Sequence, residues 1–265
     1  MSELLYEKQG MIAKIIINRP EKRNALNSAV IHGIDEALKQ AAEDPKVRVV
    51  ILGGAGEKAF TAGFDLKEAM EHNITGVVER RKDTSEEIKF FMRMWNFPKP
   101  IVAAIQGYCI GGITLAMLSD MVIASEDASF GNPEIILGYV PEFPMEVWKM
   151  PFNKVREFFY LSKFFTAAEM RDMNVVNQVV PYENLEETAM AVANRIAQIP
   201  PESAKIIKYS LNKCYELQGF RSTIDFVSEM FNLGRIHMQT TGVDEFRSDI
   251  AEGGLTTALK KQYGK

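Results

Sequence analysis

A chain of 265 residues, 46% hydrophobic and 25% charged, is long and apolar enough to bury a sizeable core without staples. Its net charge of −4 leaves no basic surplus to neutralise phosphates, which argues against nucleic acid as a partner. Two distant cysteines, an N-terminus with Glu3, Glu7 and no apolar run, and no stretch near ~18 apolar residues argue against a disulfide framework, a targeting peptide and a membrane span.

Those features point to a reducing, cytoplasmic setting. In chain order, Met11 to Asn18 is β-branched and apolar and predicts a strand, stopped by Arg19-Pro20. Asn27-Ser28 starts a helix whose apolar face is Val30, Ile34, Ala37, Leu38 and Ala41. Val47 to Leu52 predicts a buried strand leaving into Gly53-Gly54-Ala55-Gly56, and Ala59 to Gly63 reads as a short loop. The charged stretch Glu71 to Glu87 reads as a mobile surface excursion. Then come a strand at Ile101–Ile105, a glycine turn at Gly107–Gly112, a helix opening at Ile113–Leu118 and a strand at Met121–Ala124. Strand and helix alternating at this spacing predict an α/β fold with parallel pairing. Beyond Pro151 helices dominate: Lys154–Leu161, Ala167–Met173, Leu185–Ile199, Glu202–Leu217 and Ile224–Arg235. The expected division is a core over residues 1–198 and a helical region over 199–265, near Pro200-Pro201.

Four local patterns carry chemistry. In Asn18-Arg19-Pro20-Glu21-Lys22-Arg23-Asn24-Ala25-Leu26, Lys22 and Arg23 could meet phosphates, though a solvated loop is the plainer reading. In Ala59-Phe60-Thr61-Ala62-Gly63-Phe64-Asp65-Leu66-Lys67, small residues let backbone approach a ligand, and Asp65 is a candidate helix N-cap. Gln106 to Ala116 is a strand, a Gly111-Gly112 turn and an apolar helix whose N–H groups could face developing negative charge; it lacks the spacing of a dinucleotide site. In the fourth, Glu134 stands between Pro133 and Ile135-Ile136-Leu137, so desolvation should raise its pKa toward the range useful for proton transfer. Glu142 follows eight residues on and could equally be a surface turn residue. His32, His72 and His237 lack metal-ligand spacing, and no metal site is expected.

Taken together and in order, these patterns resemble the enoyl-CoA hydratase/isomerase, or crotonase, family from the first strand to about Pro181. The resemblance implies a ββα spiral core with a C-terminal helical trimerisation region, an acyl-CoA substrate, no cofactor beyond its CoA moiety, and a homotrimer or dimer of trimers. It implies that the backbone N–H groups of Phe64 and Gly112 bind the thioester oxygen as an enolate forms. It places Lys22, Arg23, Ala25, Ala62, Gly63, Asp65 and Leu66 along the CoA moiety and Glu134 on the family's acid/base position. The chain departs from family hydratases after the glycine turn. A second glutamate is expected there, but Gly111-Gly112-Ile113-Thr114-Leu115 is one residue shorter and puts Thr114 nearest that position. Thr114 could orient a water but not deprotonate it. The expectation is therefore double-bond isomerisation of an enoyl-CoA by Glu134, with or without Glu142. Hydration with a water oriented by Thr114 is the alternative, followed by hydrolase, lyase or decarboxylase chemistry and non-catalytic acyl-CoA binding. Phe143-Pro144, with Met145, Trp148 and Met150, is expected either to reshape the acyl pocket or to be plain core.

Overall fold

The computed structural model describes residues 2–65, 67–68, 76–137 and 140–240. Strand β1 (Leu4–Gln9) turns back at Gly10, whose φ of 61° suits glycine, and pairs antiparallel with β2 (Ile12–Ile17). Helix α1 (Ser28–Glu43) begins where the side chain of Asn27 accepts a hydrogen bond from Val30 N–H at 2.9 Å. It buries the five apolar residues expected from its period.

The chain continues through β3 (Val49–Gly54), β4 (Ala59–Thr61) and α2 (Val77–Trp95), then β5 (Ile101–Ile105), β6 (Tyr108–Ile110) and α3 (Ile113–Leu118). Strands β7 (Met121–Ser125) and β8 (Ser129–Gly131) come next. The odd-numbered strand of each pair joins one sheet and the even-numbered strand another. Three times the chain lays one strand in each sheet, and twice a helix follows, which is a ββα spiral. With β9 (Phe165–Thr166) and β10 (Gln178–Val180), the sheets run β1-β2-β3-β5-β7-β10 and β4-β6-β8-β9. From β2 to β10 the larger sheet is parallel, as the alternating pattern predicts.

Several short helices follow: α4 (Glu146–Lys149), α5 (Phe152–Tyr160) and α6 (Ala167–Asp172), the last opened by a capping box between Thr166 and Glu169. Helix α7 (Leu185–Ile196) lays Leu185, Ala189 and Ala193 over Ile12, Val49, Ile51, Val102 and Ile123 of the large sheet. That cover makes β3 buried on both faces and explains its unbroken apolar run. Helices α8 (Pro201–Leu217) and α9 (Phe220–Thr240) complete the described chain; Pro200 caps α8, near the expected division. Both return to the core. Lys208 Nζ lies 2.6 Å from Asp120 Oδ2, Asn212 Nδ2 donates to Trp95 O at 2.8 Å, and Phe220 stacks on Trp95 with centroids 4.3 Å apart.

Some expectations are corrected. Strands β1, β4, β8, β9 and β10 fall where no strand was expected, and Ala59–Thr61 is a buried strand, not a loop. The charged stretch Glu71–Glu87 is no surface excursion where it is described. From Val77 it belongs to α2, which buries Arg80 and Thr84, and Thr84 Oγ1 donates to Asn232 Oδ1 at 2.8 Å on α9. Residues 71–75 lie outside the described residues.

Candidate active site

The loop after β2 is held by two buried polar residues. Asn24 donates through Nδ2 to Ala55 O and Ala59 O at 2.9 and 2.7 Å, and its Oδ1 accepts from Arg19 N–H at 2.9 Å. Arg19 donates to Ala25 O at 2.7 Å and to Asp65 Oδ2 at 3.0 Å. Arg23 and Asn24 both take left-handed φ values, 50° and 54°, so the chain reverses tightly. Arg19 and Asn24 are thus the structural anchors, which sequence reasoning passed over. Lys22 and Arg23 remain exposed beside Tyr108, with the Arg23 guanidinium 6.0 Å from the ring centroid.

This reversal brings Leu26 against Phe64. Leu26 N–H donates to Gly63 O at 2.8 Å and Asp65 N–H to Leu26 O at 2.9 Å. Ala62 N–H donates to Arg23 O at 2.9 Å. The Phe64 N–H between them has no protein acceptor among the described residues. Asp65 accepts from Lys67 N–H at 3.2 Å, as a cap would, and the guanidinium of Arg19 helps hold its carboxyl below the usual range despite desolvation. Leu66 lies outside the described residues.

Across a narrow gap stands the turn after β6. Gly111 has φ of 59°, and Gly112 N–H reaches Ile110 O at 2.5 Å across this three-residue turn. Gly112 is therefore partly engaged within its own turn, unlike Phe64. A Cβ on Gly63 would lie 3.2 Å from Gly111 Cα and 3.0 Å from Glu134 Oε1, so the two loops and the glutamate meet at one point. Glu134 is on the 3₁₀ turn Pro133–Leu137 after β8. Its Oε2 is buried with no hydrogen-bond partner among the described residues, and burial pushes its carboxyl up to about 7, as its apolar neighbours predict.

A cavity of about 370 Å³ opens here. Phe64, Gly111, Asn132, Glu134, Val140 and Glu142 line it, with Glu87 and Arg235 from α2 and α9. Burial also raises the Glu142 carboxyl, and the charge of Glu134 adds to the effect. Glu142 is therefore not a surface turn residue. Thr114, by contrast, is buried on α3 and is not among the cavity-lining residues. Phe143 does not shape the cavity either; it packs between Phe91 and Phe220, with centroids 5.1 and 5.9 Å away. Met145 and Met150 join the same core, so that cluster is plain packing.

Behind the cavity lies Glu146, 1% exposed, with Oε2 unpartnered and its carboxyl raised by burial to about 7. The folded chain holds this proton more tightly than the unfolded chain, whose glutamates titrate near 4.5. Its stabilising contribution is full below that pH and disappears as pH rises through about 7. The unfolding free energy, measured with denaturant, should therefore fall between pH 5.5 and 8. Glu146→Gln should flatten part of that slope. An unchanged slope would exclude Glu146 as a contributor.

The ββα fold, with a carboxyl beside two glycine-bearing loops, is shared with one family of known proteins. The enoyl-CoA hydratase/isomerase family model matches residues 7–247, and the chain belongs to that family. It is 34% identical over 239 residues to a short-chain-enoyl-CoA hydratase of Clostridium acetobutylicum, covering 87% of this chain and 88% of that one. An enoyl-CoA hydratase/isomerase structure from Xanthobacter autotrophicus Py2 superposes with a TM-score of 0.91 at 32% identity, covering 99% and 98% of the two chains. A probable enoyl-CoA hydratase structure from Mycobacterium smegmatis gives 0.86 at 31%, covering 91% and 98%.

Proposed function

We propose that the chain adds water across the double bond of a 2-enoyl-CoA, with Glu134 and Glu142 as the acid/base pair. The observation that carries this reading is that both carboxyls line one cavity beside Phe64 and Gly111. The case against hydration rested on the missing glutamate after Gly112. Glu142 supplies a second carboxyl from another loop, and the relatives named above are called hydratases.

The ionised carboxylate of the pair takes a proton from water as its oxygen bonds to the β-carbon. The electron pair moves through the α-carbon to the thioester oxygen, where Phe64 N–H, joined by Gly112 N–H, receives the charge. The protonated partner then gives its proton to the α-carbon as the enolate collapses. Two interacting carboxyls of raised pKa share a proton near neutrality, so acid and base coexist there. The rate should peak near pH 7 and fall on both sides, as the pair loses its base in acid and its acid in alkali. Lys22 and Arg23, both exposed, are placed to meet the phosphates of CoA.

A second reading, double-bond isomerisation, is favoured by the position of Thr114 away from the cavity lining. Glu134 would then remove a proton from one carbon and return it to another. Incubation of 2-enoyl-CoA and 3-enoyl-CoA in ¹⁸O-water separates the two. The expected product is a hydroxyacyl-CoA carrying the label. Interconversion of the two enoyl esters without label would overturn hydration in favour of isomerisation.

An oligomer, either a trimer or a dimer of trimers, is part of the same reading. It is supported by apolar side chains exposed on α8 and α9, among them Ile206, Ile207, Leu211, Leu217 and Phe226. Cys109 and Cys214 are both free, which fits a cytoplasmic setting. No described helix is long and apolar enough to cross a membrane.

A further inference from the structure

Beyond Glu134 the cavity runs on between α2 and α9, and its walls change character there. Asp83, Glu87 and Glu142 share them with Phe90, Phe231 and Arg235. Glu142 feels the charges of Glu134, Glu146 and Arg235, and Glu87 those of Glu142, Asp83 and Arg235. Arg235 lies 3.5 Å from Asp83. Glu87 lines the cavity, half-buried, and accepts no hydrogen bond from any described residue. Glu142 draws only on its own backbone N–H.

An unsubstituted alkyl chain would displace the water that reaches these half-buried carboxyls and offer no donor in its place, leaving them without partners. Resting on the acyl-CoA reading of the cavity, we propose that its far end selects an acyl group bearing a hydrogen-bond donor, a hydroxyl or an ammonium group, and that Glu87 receives it. Sites built to hydrogen-bond a substrate group discriminate strongly against analogues that lack it, because the protein's polar atom is then left unpaired. Phe90 and Phe231 accommodate the methylene stem, and the positive charge of Arg235 acts on both Glu87 and Glu142.

Calorimetry with saturated acyl-CoA thioesters tests this without depending on which reaction follows. The probes are chains of four, six and eight carbons ending in methyl, hydroxyl or amino groups. At the best-fitting length, the hydroxyl or amino ester should bind at least about ten-fold more tightly than the methyl ester. Glu87→Leu should abolish that preference while retaining the methyl ester. The isosteric Glu87→Gln, which guards against misfolding of the leucine variant, should abolish preference for the amino ester and keep part of that for the hydroxyl ester. A methyl ester bound as tightly as both others, or a donor preference surviving in Glu87→Leu, would overturn the proposal. Failure of every acyl-CoA to bind would instead overturn the reading of the cavity on which it rests.

Discussion

Glu134→Gln should reduce turnover by about 10³-fold while leaving the fold intact. Glutamine matches the side chain in shape, and the cavity, the Phe64 N–H and the Gly111 turn do not depend on the charge. What is lost is the proton. Glu134 Oε1 sits closest to both glycine loops, where the α-carbon of a bound thioester must lie, and burial holds its carboxyl near neutrality. A glutamine there neither gives nor takes a proton at any accessible pH. The measurement is steady-state kinetics together with exchange of the α-proton in deuterated water. Binding of a saturated acyl-CoA should be nearly unchanged. A variant that keeps a tenth or more of the wild-type rate would remove Glu134 from the mechanism.

Gly111→Ala should impair both catalysis and stability, for geometric rather than chemical reasons. A Cβ there would fall 1.9 Å from Glu134 Oε1 and 2.9 Å from Gly63 Cα. The glutamate could swing aside, but the backbone of Gly63 cannot do so without moving the Phe64 loop. A φ of 59° adds roughly 1–2 kcal/mol for any residue with a side chain. Displacing Glu134 and the enolate donors together should cost about 10²-fold in kcat/KM, as misplacements of around an ångström do. Thermal unfolding and kinetics check the two halves separately. Wild-type kinetics with lowered stability would show that the turn serves the fold alone.

The readable parts of this chain are those in which one physical signal runs unopposed. Strands β3, β5 and β7 are apolar runs buried on both faces, β2 is one broken only by Lys14, and α1 has both a cap and a clean period. The second sheet was illegible because its strands are two or three residues long, too short for alternation to register. Glu134 stood out because its sequence neighbours are also its spatial neighbours. Glu87 did not: it follows Ser85 and Glu86 on a charged helix and becomes desolvated only where α9 and the loop of Glu142 close over it. Glu146 likewise is buried by residues remote in sequence. Phe143 is the reverse case: its bulk after the turn left a pocket wall and plain core both open, and the side chain turns inward onto Phe91.

The bridge between Leu26 and Phe64 has a bearing on how freely position 64 can vary. In parallel pairing, the Gly63 C=O and the Asp65 N–H on either side of Phe64 belong to the ladder while its own N–H points away from it. The donor proposed for the enolate is thus a by-product of strand register, and the benzyl side chain attached to it is incidental to the charge it would receive. Every amino acid can supply that N–H save proline, which has none. Mutational tolerance at 64 should therefore be governed by the size of the acyl group passing over the side chain, whereas the register itself is constrained at Leu26, Gly63 and Asp65.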